Sequence, residues 1–331
     1  MVDRKAAIKK LRTLVLSPKG EVEPFREKIE KTFSTPFIPA RVEREEREYG
    51  GVSCDVLKPE IYTSRRVILY VHGGSFVAGS RDSWRSFCAQ LANAASCRVV
   101  VPEFRLPPTH PFPAALDDLN TVFKMIYAEE EVAYKLENEN DSSRGVELVV
   151  AADGSGASLA MALLFKQNEK YMSALRNLVL FSPWLDLSPD SEIFTERHVK
   201  DEVISAEDIH RAVDLYTYAA NIANPLVSPL KAPVENFKFF PPVYIQMGQK
   251  EMLTVQAARL QSLLSKAGVE CTVDAWENMM YMFQFADEYL SESHLAIERA
   301  GNYIRRRDGE SESETEERER ILLKNNIRRE E

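Results

Sequence analysis

Six short, predominantly apolar runs, of which residues 67–71 are apolar throughout, constrain the fold of this chain more than any other feature of its sequence. They occupy residues 67–71, 98–101, 146–150, 178–181, 243–247 and 271–275. A β-strand that is covered on both faces has this composition. Helical patterns lie between or after these runs, at residues 83–94, 114–128, 159–165, 254–266 and 287–306. The alternation predicts an α/β fold with a mostly parallel sheet and helices on both of its faces.

Two stretches interrupt this alternation, and a third follows it. Residues 1–45 form two amphipathic helical patterns before the first strand run. Residues 187–241 are long and helical between two strand runs, which is typical of a cap inserted over the sheet, and we expect residues 1–45 to join that cap. The core then covers residues 46–307. Residues 308–331 are highly charged and are predicted to be disordered, with one small apolar cluster at residues 321–323.

The composition argues against several classes of function. A net charge of −9 disfavours a nucleic-acid binder or a polybasic membrane-surface protein, because both need clustered Lys and Arg. No apolar run approaches the ~20 residues of a membrane helix, and the N-terminal sequence lacks the apolar core of a signal peptide. The four cysteines, which show no metal-ligand spacing, are Cys54, Cys88, Cys97 and Cys271. We therefore expect a cytoplasmic protein with free thiols, no membrane span, no metal and no cofactor.

Three local motifs carry the chemical information. Residues 70–76 read YVHGGSF directly after a buried run, and glycines there let backbone N–H groups approach an oxyanion. Residues 103–108 read EFRLPP, and residues 110–115 read HPFPAA. Residues 149–160 read VVAADGSGASLA, an apolar run that ends in a small-residue turn before a helical pattern. This last pattern is typical of the strand, elbow and helix that present a catalytic serine.

Together these motifs resemble the hormone-sensitive-lipase branch of the α/β-hydrolase superfamily, which includes bacterial esterases, arylacetamide deacetylases and plant gibberellin receptors. Further matches follow in the same order: SPWLDL at 182–187, NP and SPL within 224–230, and WENMMYMF at 276–283. The resemblance covers roughly residues 46–307. It implies an α/β-hydrolase fold with a helical cap, and carboxylic-ester hydrolysis as the activity of the family.

The resemblance also identifies three positions on which that hydrolysis depends. Where the family has Gly-Asp-Ser-Ala-Gly-Gly at the elbow, this chain has Ala-Asp-Gly-Ser-Gly-Ala, so the nucleophile position is Gly154. The acid position is Glu251, one methylene longer than the aspartate of the family, and the base position is Tyr281. Glycine cannot attack a carbonyl, and a phenol with a pKa near ~10 is a poor base at neutral pH. The resemblance therefore implies a degenerate catalytic triad.

The remaining site residues form the turn that would bind an oxyanion, namely His72, Gly73 and Gly74, together with the backbone N–H of Ser155. Ser155 is also the fallback nucleophile. That register would place Asp153 two residues before the nucleophile, where an elbow needs a small residue. A base would also have to come from the histidines, which are His72, His110, His198, His210 and His294.

Two structural expectations follow from these assignments. The residue at the tip of such an elbow has a strained, positive φ, and glycine adopts that conformation without a Cβ penalty. We expect Gly154 to have that φ, and Tyr281 to fill part of the space left by the serine and histidine of the family. We also expect the Tyr281 hydroxyl to donate a hydrogen bond to Glu251.

These assignments predict a catalytically inactive, esterase-like protein, that is, a pseudoenzyme with a retained oxyanion turn. Its expected partners are a small apolar or acyl ligand in the cap pocket, or another protein. Two alternatives stay open. One is a weak or altered carboxylic-ester hydrolase that uses Ser155, and the other is a scaffold subunit of a larger assembly.

Overall fold

One eight-stranded β-sheet forms the centre of the protein. The structure is a computed structural model and describes residues 3–34, 41–60, 65–137, 145–195 and 201–306. The strands are β1 (Val42–Tyr49), β2 (Val52–Pro59), β3 (Val67–Val71), β4 (Arg98–Pro102), β5 (Leu148–Asp153), β6 (Leu175–Phe181), β7 (Val243–Gly248) and β8 (Cys271–Trp276). Their spatial order is β1-β2-β4-β3-β5-β6-β7-β8. The β1–β2 and β2–β4 pairs are antiparallel, and the other pairs are parallel.

The six predicted apolar runs are strands β3 to β8, which confirms the mostly parallel sheet. The central strands β3 and β5 are buried along their whole length, as expected for strands covered on both faces. The hairpin of β1 and β2 was not predicted. The reason is that β1 reads VEREEREY and lies at the edge of the sheet, where charged side chains face solvent and block further strand pairing.

The helices lie largely where the alternation places them. They are α1 (Arg4–Leu11), α2 (Val22–Phe33), α3 (Arg81–Ala95), α4 (Ala114–Glu137), α5 (Gly156–Phe165), α6 (Glu169–Met172), α7 (Glu192–Thr195), α8 (Ala206–Tyr216), α9 (Thr254–Lys266) and α10 (Ser291–Arg305). Over the sheet, α3 packs against α10 and α4 packs against α5. The main difference is that α4 continues beyond its predicted end at residue 128, because AEEEVAYKLE is rich in strong helix formers.

The predicted cap segments contain short helices. The N-terminal segment holds α1 and α2, and the stretch 187–241 holds α7, α8 and three 3₁₀ turns at Ala219–Asn221, Pro229–Lys231 and Val234–Phe237. The division into core and cap stays a prediction. Residues 308–331, predicted to be disordered, lie outside the described residues.

A buried carboxylate joins the edge hairpin to α3. Asp55 on β2 is fully buried, and its Oδ2 atom lies 2.7 Å from Arg85 Nε. Its Oδ1 atom lies 2.9 Å from Arg44 Nη2 and 3.3 Å from Arg81 Nη1. One carboxylate thus neutralises guanidinium groups from both β1 and α3, so the position of this helix depends on a charge that water does not reach.

Candidate active site

The stretch VVAADGSGASLA forms the strand, tight turn and helix that its sequence predicts. Strand β5 ends at Asp153 and α5 begins at Gly156, so residues 154 and 155 make the turn. Gly154 has a φ of 47°, in the left-handed region expected for the tip of the elbow. A Cβ atom on Gly156 would lie 2.3 Å from the carbonyl oxygen of Val71, so the close approach of β3 requires a glycine there.

The structure brings the predicted nucleophile and base positions together. A Cβ atom built on Gly154 would lie 2.5 Å from the hydroxyl oxygen of Tyr281. The Tyr281 side chain is buried, and it fills the space that a larger side chain at position 154 would need. Burial, followed by the nearby carboxyl groups of Asp153 and Glu251, raises the pKa of Tyr281 well above its ordinary value. The phenol therefore stays protonated at neutral pH.

The predicted hydrogen bond from Tyr281 to Glu251 is wrong. The Oε1 atom of Glu251 accepts instead from Ser182 Oγ at 2.8 Å and from the backbone N–H of Gly248 at 2.5 Å. Its Oε2 atom is buried and forms no hydrogen bond with any part of the chain that the structure describes. Burial raises the pKa of Glu251 well above its ordinary value, against the effect of the Gly248 hydrogen bond. The acid position is therefore occupied by a carboxyl group bound to its own loop.

Ser182 is a site residue that the sequence did not reveal. It lies directly after β6 with a φ of 45°, and its hydroxyl donates to Glu251 while accepting from the backbone N–H of Met282 at 3.1 Å. It thereby connects the loop of the acid position to the loop that holds Tyr281. The one available signal in the sequence was its place at the start of the SPWLDL motif.

The oxyanion turn is anchored to the elbow by Asp153. Its Oδ1 atom accepts from Tyr70 Oη at 2.9 Å, from Trp84 Nε1 at 2.7 Å and from the backbone N–H of Gly73 at 3.1 Å. Burial raises the pKa of Asp153 to about 7, and the hydrogen bonds from Tyr70, Trp84 and Gly73 oppose that rise. Asp153 is thus a positioning group for the turn and the elbow.

This anchoring changes the predicted set of oxyanion donors. The N–H of Gly73 is already bound to Asp153, so it is not free to bind a ligand oxygen. The N–H groups of Gly74 and Ser155 form no hydrogen bond within residues 3–34, 41–60, 65–137, 145–195 and 201–306. Gly74 and Ser155 are therefore the two predicted donors whose N–H groups have no partner among the described residues.

Ser155 is held as a structural hydroxyl. Its Oγ atom accepts from the backbone N–H of Phe76 at 2.9 Å, and the side chain is buried. None of the histidines that the structure describes forms a hydrogen bond with it. Three of them, His110, His210 and His294, are exposed, and His198 lies outside the described residues. Ser155 therefore has a backbone hydrogen-bond partner, and none of the described histidines is placed to act as its base.

His72 is a buried packing residue of the turn. Its ring stacks on Phe104 with centroids 4.2 Å apart and packs against Trp84 at 5.1 Å. Its Nδ1 atom lies 3.1 Å from the carbonyl oxygen of Gly73. Burial lowers the pKa of His72 to about 4. The neutral imidazole therefore supports the turn and faces no catalytic partner.

We expect His72 to make the fold acid-sensitive in a defined pH window. Because the unfolded imidazole binds a proton below pH ~6.5 and the folded one only near pH 4, the His72 contribution is complete above pH 6.5. It is lost as the pH falls from 6.5 to 4, by an amount on the order of 3 kcal/mol. His72→Phe keeps an aromatic ring in the stack but removes this titration.

Urea unfolding of both proteins at pH 7 and pH 4.5 measures the effect. The stability advantage of wild type over His72→Phe, whatever its value at pH 7, should shrink at pH 4.5. Asp153 and Glu251 are present in both proteins, so their opposite pH dependence cancels in the difference. An advantage that stays constant between the two pH values contradicts the assignment of a buried neutral imidazole.

A cleft of about 550 Å³ lies between the N-terminal segment and residues 201–208. Its walls are mixed: apolar side chains, among them Val15, Leu16, Phe25, Val203 and Ile204, lie beside the half-buried carboxyl groups of Asp201 and Asp208 and the exposed charges of Arg12, Glu21 and Lys28. The backbone N–H of Leu16 donates to Ser75 Oγ at 3.1 Å, which places the cleft beside the oxyanion turn. The cleft thus offers a partly apolar volume of the size that small ligands occupy.

Two features are absent from the residues that the structure describes. No group of three or more His, Cys, Asp or Glu side chains within them could hold a metal ion. No helix among them has the length and apolar character to cross a membrane.

Comparison with known proteins gives a consistent picture. A family described as "alpha/beta hydrolase fold" matches residues 68–285. An acetyl-hydrolase of Streptomyces hygroscopicus is 29% identical over 294 residues, which cover 88% of this chain and 92% of the relative. An esterase of Acinetobacter venetianus is 25% identical over 249 residues, which cover 75% and 77%. The crystal structure of an esterase from the bacterial hormone-sensitive lipase family is 27% identical with a TM-score of 0.75, covering 91% of this chain and 96% of that one.

Proposed function

Because this chain belongs to the hormone-sensitive-lipase-like family of α/β hydrolases, we propose that it is a non-hydrolytic member that serves as a small-ligand-binding module. The observation that carries the proposal is the contact at the elbow. The Tyr281 hydroxyl lies 2.5 Å from the place where the first side-chain atom of a nucleophile at position 154 would be. A serine there requires the tyrosine ring to shift, and an ester cannot be attacked there without a nucleophile.

The other members of the triad support the same conclusion. Hydrolysis by this family requires a nucleophile and a base within hydrogen-bonding reach of each other, with an acid that orients the base. Gly154 has no side chain, the buried phenol of Tyr281 keeps its proton, and Glu251 is bound to Ser182 and Gly248. The Gly74 and Ser155 N–H groups persist as oxygen-binding donors with no nucleophile beside them.

The cleft supports ligand binding as the function of a chain that does not hydrolyse esters. Its apolar side chains favour burial of an apolar or acyl group. The chemistry therefore points to a small apolar or acyl molecule. Protein binding as a scaffold subunit is the alternative. Native mass spectrometry of the purified chain separates the two, since a retained small molecule favours the first and a bound protein the second.

The enzymatic alternative is ester hydrolysis through Ser155. It is motivated by relatives that carry the names acetyl-hydrolase and esterase. We expect the wild-type chain to hydrolyse p-nitrophenyl acetate and p-nitrophenyl butyrate no faster than the Ser155→Ala variant does. Both rates should match that of heat-denatured protein. Turnover that is clearly above this level in wild type and is abolished in Ser155→Ala would overturn the proposal. Ser158→Ala, which removes a buried serine hydroxyl in the first turn of α5, is the matched control.

A further inference from the structure

Helix α4 presents an apolar stripe to solvent. Met125, Val132 and Leu136 are 46%, 58% and 74% exposed. Their spacings of seven and four residues place them on one face of the helix. Only three other large apolar side chains of the described residues are comparably exposed, and no two of those belong to one helix. We call these three residues the α4 stripe. Its size and its single face indicate that something covers it.

The lower half of the stripe lies at the end of the sheet where the parallel strands begin. Helix α4 passes the turn between β1 and β2, where a Cβ atom built on Gly50 would lie 3.9 Å from Met125 Cγ. From there it runs toward the end of the sheet where the parallel strands begin. Further along, Glu130 pairs with Arg98, the first residue of β4, at 2.7 Å. Val132 and Leu136 follow within two helical turns of that ion pair.

The chain leaves its last helix at the same end of the sheet. Arg66, immediately before β3, donates through Nη1 to the carbonyl oxygen of Arg306 at 2.8 Å and also to that of Ile304. Its neighbour Val67 pairs with Arg98 across the β3–β4 ladder. The exit of the chain at Arg306 and the lower half of the α4 stripe are therefore near adjacent strands at one end of the sheet. Because α10 packs with α3 and α4 packs with α5 on the opposite face, a segment that joins the two has to pass around that end of the sheet.

The chain beyond Arg306 contains a sequence that suits the stripe. Residues 308–320 are mostly charged, and an apolar group follows at Ile321, Leu322, Leu323 and Ile327. Leu322 is sixteen residues beyond Arg306. Such a linker spans roughly 22 Å on average and at most about 50 Å when fully extended, which is ample for a site at the same end of the sheet.

We propose that residues 321–327 dock on the α4 stripe of the same chain. The attachment at Arg306 converts this contact into an intramolecular one with an effective concentration in the millimolar range, so a small apolar surface is sufficient. The acidic stretch between them stays in water and acts as the tether. In the docked state both apolar groups, each otherwise exposed, are removed from solvent together.

Disulfide trapping in the full chain tests this contact. Leu136→Cys and Leu322→Cys are combined in a Cys271→Ser background, because Cys271 is the native thiol that is partly exposed. The matched control replaces Leu136→Cys by Leu295→Cys, an exposed apolar position on α10, the helix from which the tether leaves. Under mild oxidation, the yield of the intrachain 136–322 disulfide should exceed that of the 295–322 disulfide about tenfold. Equal yields overturn the proposal. A disulfide that forms mainly between two chains also overturns it and identifies a second copy as the occupant.

Limited proteolysis provides a second measurement without added cysteines. Trypsin should cleave after Arg320 and Lys324 several-fold faster in Leu136→Asp than in wild type, because a charge on the stripe releases the segment. The Leu295→Asp control should leave the cleavage rate unchanged. Both positions are exposed, so neither change should disturb folding, and circular dichroism checks this. A cleavage rate that is the same in wild type and Leu136→Asp contradicts docking.

Discussion

Replacing Gly154 by serine and Tyr281 by histidine together is expected to create ester hydrolysis about 100-fold above the wild-type level, whereas neither single substitution should do so. The double change supplies a nucleophile and a base at two positions that the structure brings together. The Gly74 and Ser155 N–H groups provide oxygen-binding donors, and Glu251 Oε2 is an acceptor without a partner among the described residues that could orient the histidine.

Each single substitution fails for its own physical reason. Gly154→Ser puts a Cβ atom 2.5 Å from the Tyr281 hydroxyl and places a non-glycine residue at a φ of 47°. We expect this to destabilise the fold by about 2–4 kcal/mol, from overpacking and backbone strain combined. Tyr281→His removes the obstructing phenol but leaves no nucleophile. In urea unfolding, the double variant should therefore be more stable than the sum of the two single changes predicts.

Activity with p-nitrophenyl acetate and labelling by a fluorophosphonate, which reacts with activated serines, measure the gain. The Gly154→Ala, Tyr281→His variant is the matched control, because it has the Cβ atom and the histidine but no hydroxyl. Activity in Gly154→Ser alone would mean that the base is not at position 281. A folded double variant that neither turns over nor reacts would mean that Glu251 or the donors are misplaced for catalysis.

The second large effect concerns stability alone. Asp55→Ala should lower the free energy of unfolding by about 3–5 kcal/mol, because it removes the one fully buried carboxylate from a group of three partly buried guanidinium groups and leaves them with the half-exposed carboxylates of Glu46 and Asp82. Asp55 is fully buried, whereas Asp82 at the start of α3 is largely exposed and, among the described residues, pairs with Arg85. Asp82→Ala is thus the matched control, with an expected loss below about 1 kcal/mol. Urea unfolding of the three proteins at pH 7 provides the measurement. Equal losses for the two variants contradict the role assigned to Asp55.

The parts of the fold that sequence predicts are those where one physical requirement dominates. Strands β3, β5 and β7 are buried along their whole length and β4 and β6 along most of it, so their sequences are largely apolar and easy to find. The edge strand β1 faces solvent and blocks further strand pairing, so it is rich in charged residues. It therefore lacks the apolar pattern by which the other strands are recognised. Helix α4 continues past its amphipathic part because helix propensity, rather than burial, sustains its last turns.

The same distinction applies to the site. The elbow was predictable because its turn demands glycine and small residues at fixed positions, and those residues are visible in the sequence. The hydrogen-bond partners of Glu251 were not predictable, because more than one donor group can reach its carboxyl group. The Gly248 N–H and the Ser182 hydroxyl bind Oε1, while the Tyr281 phenol lies against Gly154. The loss of the Gly73 donor to Asp153 was hidden for the same reason, since a sequence shows which groups are available and not which pairs they form.

The contact between Tyr281 and Gly154 also has a consequence for the ancestry of the chain. On the proposed assignment, an ancestor with serine at position 154 could not have acquired this tyrosine first, because the two side chains would have collided. Loss of the serine therefore came before the tyrosine or together with it. The order of the reverse path is restricted in the same way, since a serine restored first meets the tyrosine, whereas a histidine restored first meets no such obstacle. A return to hydrolysis therefore requires two changes, with the histidine before the serine or together with it.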